Sequence, residues 1–382
     1  MFLESNKTML DIIPQSVKDL HKLFKASGKK LYLVGGAVRD FLTGDKPKDF
    51  DLATDALPDE VLGIISDKYR TNLQGKAFGV VVVFTKDQPE GMEIATFRED
   101  ISKGRNPEVK LGATIEQDVN RRDISFNGLF FDLDTNEIVD IVGGQQDLKD
   151  GVTRMIGDPN ERFEEDSLRI LRAFRFASRY GHPLHKDTEV AIAKRNQLEN
   201  IDPESGEMKR ISQERIWEEM KKAFKQAKDY RNYLAFFSKF DMWNQVFPGI
   251  EVCELFVDTK DFVVTIASLF RNETTEGLEK KMVQEFRIEQ DVAKKVVFLI
   301  DLTNMTVESA YDMSKRRQQC AISDETMLEW LKVSDSQFPV PLKFIEYKPT
   351  VSSQELMAKG IKGKELGIEI KRLETEKFRQ ML

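Results

Sequence analysis

The sequence predicts an α+β chain, a mixed α/β N-terminal head followed by a long all-helical remainder. Two observations carry this. Between residue 31 and about 150, short runs rich in Val, Ile and Phe are separated by glycines and by charged helical stretches. After Gly157 the apolar residues recur mainly at helical spacing and the strand signals nearly vanish. A length of 382 residues allows two to four domains at about 100–200 residues each.

Taken in order, "KLYLVGG", "DFDLAT", "GVVVVF", "GMEIATF", "GLFFDL" and "EIVDIVGG" read as strands of the head. The first break is expected near "GDP", 157 to 159, and a polar loop between helices at "NIDPESGEMK", 200 to 209. A polar stretch at 301 to 324 separates a helical body from a C-terminal tail. The expected domains are 1–156, a catalytic head; 157–225, a helical neck; 226–310, a helical body; and 311–382, a helical tail.

Composition narrows the function classes. No run of about 18 apolar residues predicts a membrane span. The start, "MFLESNKTMLDII", resembles neither a signal peptide nor a transit peptide, so a cytoplasmic protein is expected. Cys253 and Cys320 give no disulfide framework and no zinc spacing, and three histidines disfavour a histidine-rich metal site. Any metal should be held by oxygen. The net charge of −7 disfavours a simple basic nucleic-acid binder, although only the local field at a binding face matters. Residues 357 to 382 carry seven Lys/Arg against four Glu, a local charge of +3, so residues 1 to 356 carry −7 − 3 = −10. Gly360, Gly363 and Gly367 with Lys359, Lys362 and Lys364 could cradle nucleic-acid phosphates, or form a helix–turn–helix with solvated lysines.

The chemistry concentrates in "LYLVGGAVRDFLTGDKPKDFDLATDA", 31 to 56. Val34 should end a strand, Gly35 and Gly36 make a tight turn, and a short helix run to Gly44. Such a helix start presents free N–H groups and a positive dipole end to a phosphate, with Arg39 close by. In "KDFDLAT" the alternation of a strand puts Asp49 and Asp51 on one face, with Phe50 and Leu52 turned into the core. Two neighbouring carboxylates repel unless a cation neutralises them, and oxygen-only ligands suit Mg²⁺. A two-metal phosphoryl-transfer site usually takes a third carboxylate, and Glu93 of "GMEIATF" is the candidate. Further along, "EEDSLRILRAFRFASR" carries Arg169, Arg172, Arg175 and Arg179 at helical spacings of three and four beside an apolar stripe of Leu168, Leu171, Phe174 and Ala177. Like charges at these spacings weaken a helix by a few tenths of a kcal/mol per pair, a cost that a bound polyanion would relieve.

Gly-Gly-Ala-Val-Arg-Asp followed by Asp-Phe-Asp-Leu-Ala-Thr resembles the nucleotidyltransferase superfamily shared with DNA polymerase beta. More closely, the chain resembles the class II tRNA nucleotidyltransferases (CCA-adding enzymes) and the bacterial poly(A) polymerases. "DVNRRDISFNGLFFD", "GDPNERFEEDSLRILRAFRFASRYG" and "KRISQERIWEEM" look like further blocks of that family, in its order, over roughly residues 30 to 225. The resemblance implies a polymerase beta-like head on a helical neck, body and tail. It implies catalysis by Asp49, Asp51 and Glu93, with two Mg²⁺ on Asp49 and Asp51. Gly36, Arg39, Arg122, Asp166, Arg169, Arg172 and Arg175 would bind nucleotide, while Arg121 and Asp123 could equally form a structural ion pair.

Asp166 and Arg169 are implied as readers of the base, and hydrogen-bond polarity supports this. A carboxylate accepts from the amino group of C or A, and a guanidinium donates to their ring acceptors, whereas U and G present the opposite pattern at both points. The expected activity is template-independent addition of C, C and A to tRNA from CTP and ATP, releasing pyrophosphate. The expected partners are tRNA, CTP and ATP, with neither membrane nor DNA. Poly(A) addition and partial (CC- or A-only) addition are the alternatives. Phe163 and Ser167, where the poly(A) enzymes typically carry Tyr and Pro, lean towards CCA. So do the tail segment "ELMAKGIKGKELGIEIKRLE", similar to the C-terminal motif of class II CCA enzymes, and the lack of a basic C-terminal extension. The loop "FREDISKGRNPEVKLGA", 97 to 113, resembles the family's switch from C to A, a mild lean towards complete CCA addition. Residues 226 to 354 show no matching block.

Overall fold

The computed structural model describes residues 8–65, 68–101, 108–202, 205–334 and 339–382. It divides into two compact units. One comprises residues 1–211 with 226–229, the other 212–225 with 230–382.

Among its described residues the first unit holds eleven strands, seven in one sheet and the others in two antiparallel pairs. They are β1 (Leu31–Val34), β2 (Leu52–Thr54), β3 (Arg70–Asn72), β4 (Val80–Phe84), β5 (Met92–Thr96), β6 (Arg98–Asp100), β7 (Val109–Leu111), β8 (Phe130–Asp132), β9 (Glu137–Val139), β10 (Glu199–Ile201) and β11 (Met208–Arg210). Seven form one sheet in the order β3-β4-β5-β2-β1-β8-β9. Most pairs are antiparallel, but β2 and β5 run parallel with Leu52 opposite Ile94. That register, carried one residue back, sets Asp51 beside Glu93.

Around the sheet lie α1 (Met9–Ile12), α2 (Gln15–Ala26), α3 (Gly36–Thr43), α4 (Pro58–Ile65), α5 (Ile115–Asn120), α6 (Gly144–Asp150), α7 (Pro159–Glu165), α8 (Leu168–Tyr180) and α9 (Lys186–Arg195). Val17, Leu20 and Phe24 of α2 are fully buried. Val34, Ala53, Phe97, Val119, Phe130 and Ile156 form a core that joins the sheet to α5. Tyr32, Phe97 and Phe130 meet within it, Phe130 edge-on to both of the others.

The second unit is helical. Its helices include Gln213–Gln226, Tyr230–Lys239, Phe262–Leu269, Gln290–Thr303 and Gly363–Met381. The stretch without a recognisable block is packed by aromatics: Tyr233, Phe237, Phe247, Phe270 and Phe286 are all at most 1% exposed. The tail is two helices, Ser353–Ala358 and Gly363–Met381, joined by an exposed turn that carries Lys359 and Lys362. Gly360 and Gly363 both take positive φ there, which gives the segment a helix–turn–helix geometry. Glu374 is fully buried and accepts from Tyr347 Oη at 2.8 Å and Thr350 N at 2.6 Å.

Several expectations change. The polar stretch at 200 to 209 is not a plain loop, because β10 and β11 pair across it with Ile201 opposite Met208; residues 203 and 204 lie outside the described residues. Strands β3, β6 and β7 were invisible, being three residues each, too short to show a period, with polar residues throughout β3 and β6. The reading of 49 to 54 as one strand is too long, since the ladder begins at Leu52. The inward half of the face prediction holds, since Phe50 and Leu52 are buried, while Asp49 is exposed and Asp51 half-buried. Of the loop at 97 to 113, residues 102 to 107 lie outside the described residues.

Phe130 sits at 0% exposure in the core that backs the head. Phe130→Ala should lower unfolding stability by about 3–5 kcal/mol in urea titration, the range for a deeply buried aromatic.

Candidate active site

The turn after β1 is built as the glycines demand. Gly35 adopts φ 62°, closed to side chains without strain, and donates its N–H to Leu129 O at 3.1 Å. Gly36 then opens α3, which ends on Gly44 in the left-handed conformation. Gly35 and Gly36 line a cavity of about 490 Å³ together with Arg39, Asp51, Glu93, Arg98, Arg121, Arg122, Asp123, Asn127, Arg169, Arg172 and Phe176. One wall is thus acidic and most of the rest is arginine.

The acidic wall comes from the parallel β2–β5 pair. Asp51's carboxyl is pushed up to about 6, first by burial, then by the charges of Glu93 and Asp49; Arg122 offsets part of this. Asp49 is exposed and acts on Asp51 from outside the cavity lining. Among the described residues no three His, Cys, Asp or Glu side chains close around one point as a finished metal cage. A Mg²⁺ ion usually keeps waters and substrate phosphates in its shell, so two or three carboxylates suffice for it. Oxygen-only donors under mutual repulsion are the donor set such an ion fits.

The cationic walls rest on buried acids. Asp118, 1% exposed, accepts from Nε and Nη2 of Arg121 (2.9 and 2.7 Å) and from Nε and Nη2 of Arg122 (3.1 and 2.9 Å). The two arginines hold its carboxyl below the usual range despite the burial. Arg122 also lies over the Phe130 ring, 4.7 Å from its centroid. The Arg121–Asp123 pair held open above is not formed. Asp123 instead takes Nε of Arg172 at 2.5 Å and Asn127 Nδ2 at 3.1 Å, and these bonds hold it well below the usual carboxylate range. Arg39 is 5% exposed, bound to Asp40 Oδ1 at 2.9–3.0 Å and to Asn127 Oδ1 at 2.5 Å. Asp40 collects Arg179 at 2.9 Å and the Tyr180 hydroxyl at 3.3 Å as well, which ties α3 to α8.

The arginine helix differs from its sequence reading. It is broken: α7 ends at Glu165, Asp166 is extended at φ −157°, and α8 starts after Ser167. Arg169 and Arg172 reach the cavity, but Arg175 does not. Arg175 is 5% exposed, donates to Gln226 Oε1 at 2.7 Å and covers Phe176. Arg169 pairs with Glu165 at 2.6 Å rather than with Asp166. Asp166 accepts from Asn200 Nδ2 at 3.1 Å and from the Leu168 N–H at 3.2 Å, and it is not part of the lining. The partly buried joint therefore separates two residues that simple helical spacing put together.

Of the residues named from sequence, Gly36, Arg39, Asp51, Glu93, Arg122, Arg169 and Arg172 share the cavity, while Asp49, Asp166 and Arg175 stand off it. Arg98, Asp118 and Asn127 were missed. Asp118 had a visible signal, lying three and four residues before Arg121 and Arg122 on a short helix. Arg98 and Asn127 had none.

Known proteins resemble both the head and the whole fold. Residues 31–154 match the poly A polymerase head domain. Poly(A) polymerase I of Salmonella typhimurium is 34% identical over 253 residues, 63% of this chain and 51% of that protein. The CCA-adding enzyme of Bacillus subtilis is 39% identical over 175 residues, 45% of this chain and 43% of that one. The chain thus spans about half the length of the curated relatives it matches. Among solved structures, the Bacillus stearothermophilus CCA-adding enzyme in complex with CTP superposes with a TM-score of 0.71 at 22% identity, covering 98% of this chain and 92% of that one. The Thermotoga maritima CCA-adding enzyme complexed with tRNA gives 0.67 at 20% identity, covering 99% and 95%. No helix among the described residues is long and apolar enough to cross a membrane.

Two outcomes test the site. Asp118→Asn should leave the arginine pair with a neutral partner and lower kcat/KM by about tenfold or more, the worth of a charged hydrogen bond; steady-state kinetics measures it. Asp51 has a folded pKa above its unfolded one, so its contribution to stability is present at low pH and lost as pH rises through about 6. In chelator, wild-type Tm should therefore fall between about pH 4 and 7 more steeply than that of Asp51→Asn. The head of this chain matches the poly A polymerase head domain, and its fold is that of the CCA-adding enzymes.

Proposed function

We propose that the protein is a nucleotidyltransferase that adds C, C and A to the 3′ end of tRNA from CTP and ATP, releasing pyrophosphate. The observation that carries the reading is Asp51 beside Glu93 on parallel strands, facing a glycine turn and an arginine-lined cavity. Fold likeness to CCA-adding enzymes over nearly the whole chain supports it.

Asp49, Asp51 and Glu93 would hold divalent metal, read here as two Mg²⁺. Bound there, such ions acidify an RNA 3′-hydroxyl and neutralise charge on a triphosphate and on departing pyrophosphate. The chain's own residues do the rest. The Gly35–Gly36 turn lets backbone approach the phosphates, and the start of α3 directs N–H groups at them. Arg122 and Arg172, held by Asp118 and Asp123, present fixed positive charge to the nucleotide. Arg169, steadied by Glu165, donates to the ring acceptor of C or A. Asp166 accepts the amino group by exchanging its bond to Asn200 for one to the base. Arg39 acts through Asn127 and Asp40 rather than by direct contact. The exposed lysines of the tail turn supply charge for the tRNA backbone.

Poly(A) addition is the second reading, favoured by the extent of the match to poly(A) polymerase I. Product length separates the two, and also partial addition. Purified protein with Mg²⁺ and tRNA lacking its last three nucleotides should take up two C from CTP and then one A from ATP, and stop. Long A tails, or no need for CTP, would replace the proposal with poly(A) addition. Asp51→Ala should abolish incorporation of both nucleotides while tRNA binding in a filter assay stays near wild type. Asp166→Ala should raise kcat/KM for UTP relative to CTP by roughly ten- to a hundredfold, one unpaired polar contact being at stake. An unchanged ratio would remove Asp166 from base choice.

A further inference from the structure

Arg98 stands apart from the other arginines of the cavity. It opens β6, separated by one residue from the end of β5, the strand that carries Glu93. Its Nη1 donates to Phe78 O at 2.8 Å, and its own N–H goes to Asp118 at 3.3 Å. Among the described residues of the cavity wall, it is the arginine whose nearest carboxylate stands beyond hydrogen-bonding distance. Asp100 Oδ1 is 3.8 Å from Nε, and both atoms are buried without a hydrogen-bond partner. The Asp118 carboxylate, which might have compensated the guanidinium, is already shared between Arg121 and Arg122. Arg98 is thus a cation beside two like cations. Burial first, then Arg121, holds its guanidinium below its usual range. A charge kept at that cost, on a wall open to a cavity, has only the loose ion pair with Asp100 and no carboxylate at hydrogen-bonding distance from its side chain.

We propose that Arg98 forms a phosphate-binding subsite on the β5–β6 side of the cavity, taking a phosphate of one of the two polyanions that the transfer reaction brings together. A guanidinium suits this ligand, since its planar donors match phosphate oxygens. The inference rests on the nucleotidyl-transfer reading for its choice of ligand. The phosphate belongs either to the nucleotide's triphosphate or to the RNA backbone near its 3′ end. The charge of Asp100 alongside opposes the anion and limits how tightly it is held.

The test uses the full chain with Arg98→Gln, Arg98→Lys and Asp100→Asn. Dissociation constants are measured for CTP with tripolyphosphate as competitor, and for a fluorescent single-stranded RNA over a range of salt. Arg98→Gln should weaken one of these ligands roughly tenfold, as expected for a lost charged hydrogen bond. If RNA is the one affected, the slope of log K against log salt should fall by about 0.7, one phosphate's worth for a single strand. If CTP and tripolyphosphate are affected and RNA is not, the phosphate is the nucleotide's. Arg98→Lys, which keeps the charge, should recover most of the affinity, and Asp100→Asn should leave binding unchanged or tighter. The subsite is refuted if Arg98→Gln alters neither ligand. It is equally refuted if Asp100→Asn weakens binding as much as Arg98→Gln does, or if Arg98→Lys recovers nothing, because the pair would then be structural. A wild-type protein that binds neither CTP nor RNA would instead overturn the transfer reading itself.

Discussion

The parallel pairing of β2 with β5 forces Asp51 next to Glu93, with Asp49 close behind, and the rest of the head answers that placement. Unbalanced negative charge on one wall is unfavourable in a partly buried site. It persists because the strands are fixed from behind by apolar residues with no alternative seat: Phe50, Leu52 and Ile94 are each 7% exposed or less. Burial of these neighbours therefore stabilises a polar arrangement that would otherwise relax. This is how an acidic wall is kept assembled in the folded head.

The opposing walls follow a second rule, in which each cation is fixed by a more deeply buried acid. Asp118 fixes Arg121 and Arg122, Asp123 fixes Arg172, and Asp40 gathers Arg39, Arg179 and Tyr180. Such pairs add little net stability against their desolvation cost, but they hold guanidinium groups in one orientation. A site that must stabilise charge in the transition state gains from donors that need not reorganise. Asn127 joins two of these clusters, since it accepts from Arg39 and donates to Asp123. The floor of the cavity is consequently one connected network rather than a set of independent pairs.

The break between α7 and α8 gives the site its remaining freedom. Ser167 is fully buried and its N–H donates to Asn200, while Asp166 is extended. A continuous helix would have fixed Asp166 and Arg169 on one face. The joint instead gives each its own partner, Asn200 for Asp166 and Glu165 for Arg169. Both bonds are only partly buried.

Much was legible from sequence alone, for local reasons. A glycine pair between a strand and a helix specifies its own backbone, and Gly35 and Gly44 take the positive φ values that made them recognisable. Period-two alternation told that Phe50 and Leu52 turn inward, even though the ladder starts only at Leu52. Glu93 was found because a two-metal site usually takes a third carboxylate and "GMEIATF" reads as the strand after "GVVVVF". Only tertiary structure decided the rest. Which arginines reach the cavity depends on where α8 crosses the head, so Arg175 turned to Gln226 while Arg172 turned to Asp123. Arg98 and Asn127 acquire their positions from a three-residue strand and a turn, segments too short to show any period. The parallel register that sets Asp51 against Glu93 joins residues some forty positions apart. No spacing rule reaches that far, and only burial of the two strands in one core brings those carboxylates together.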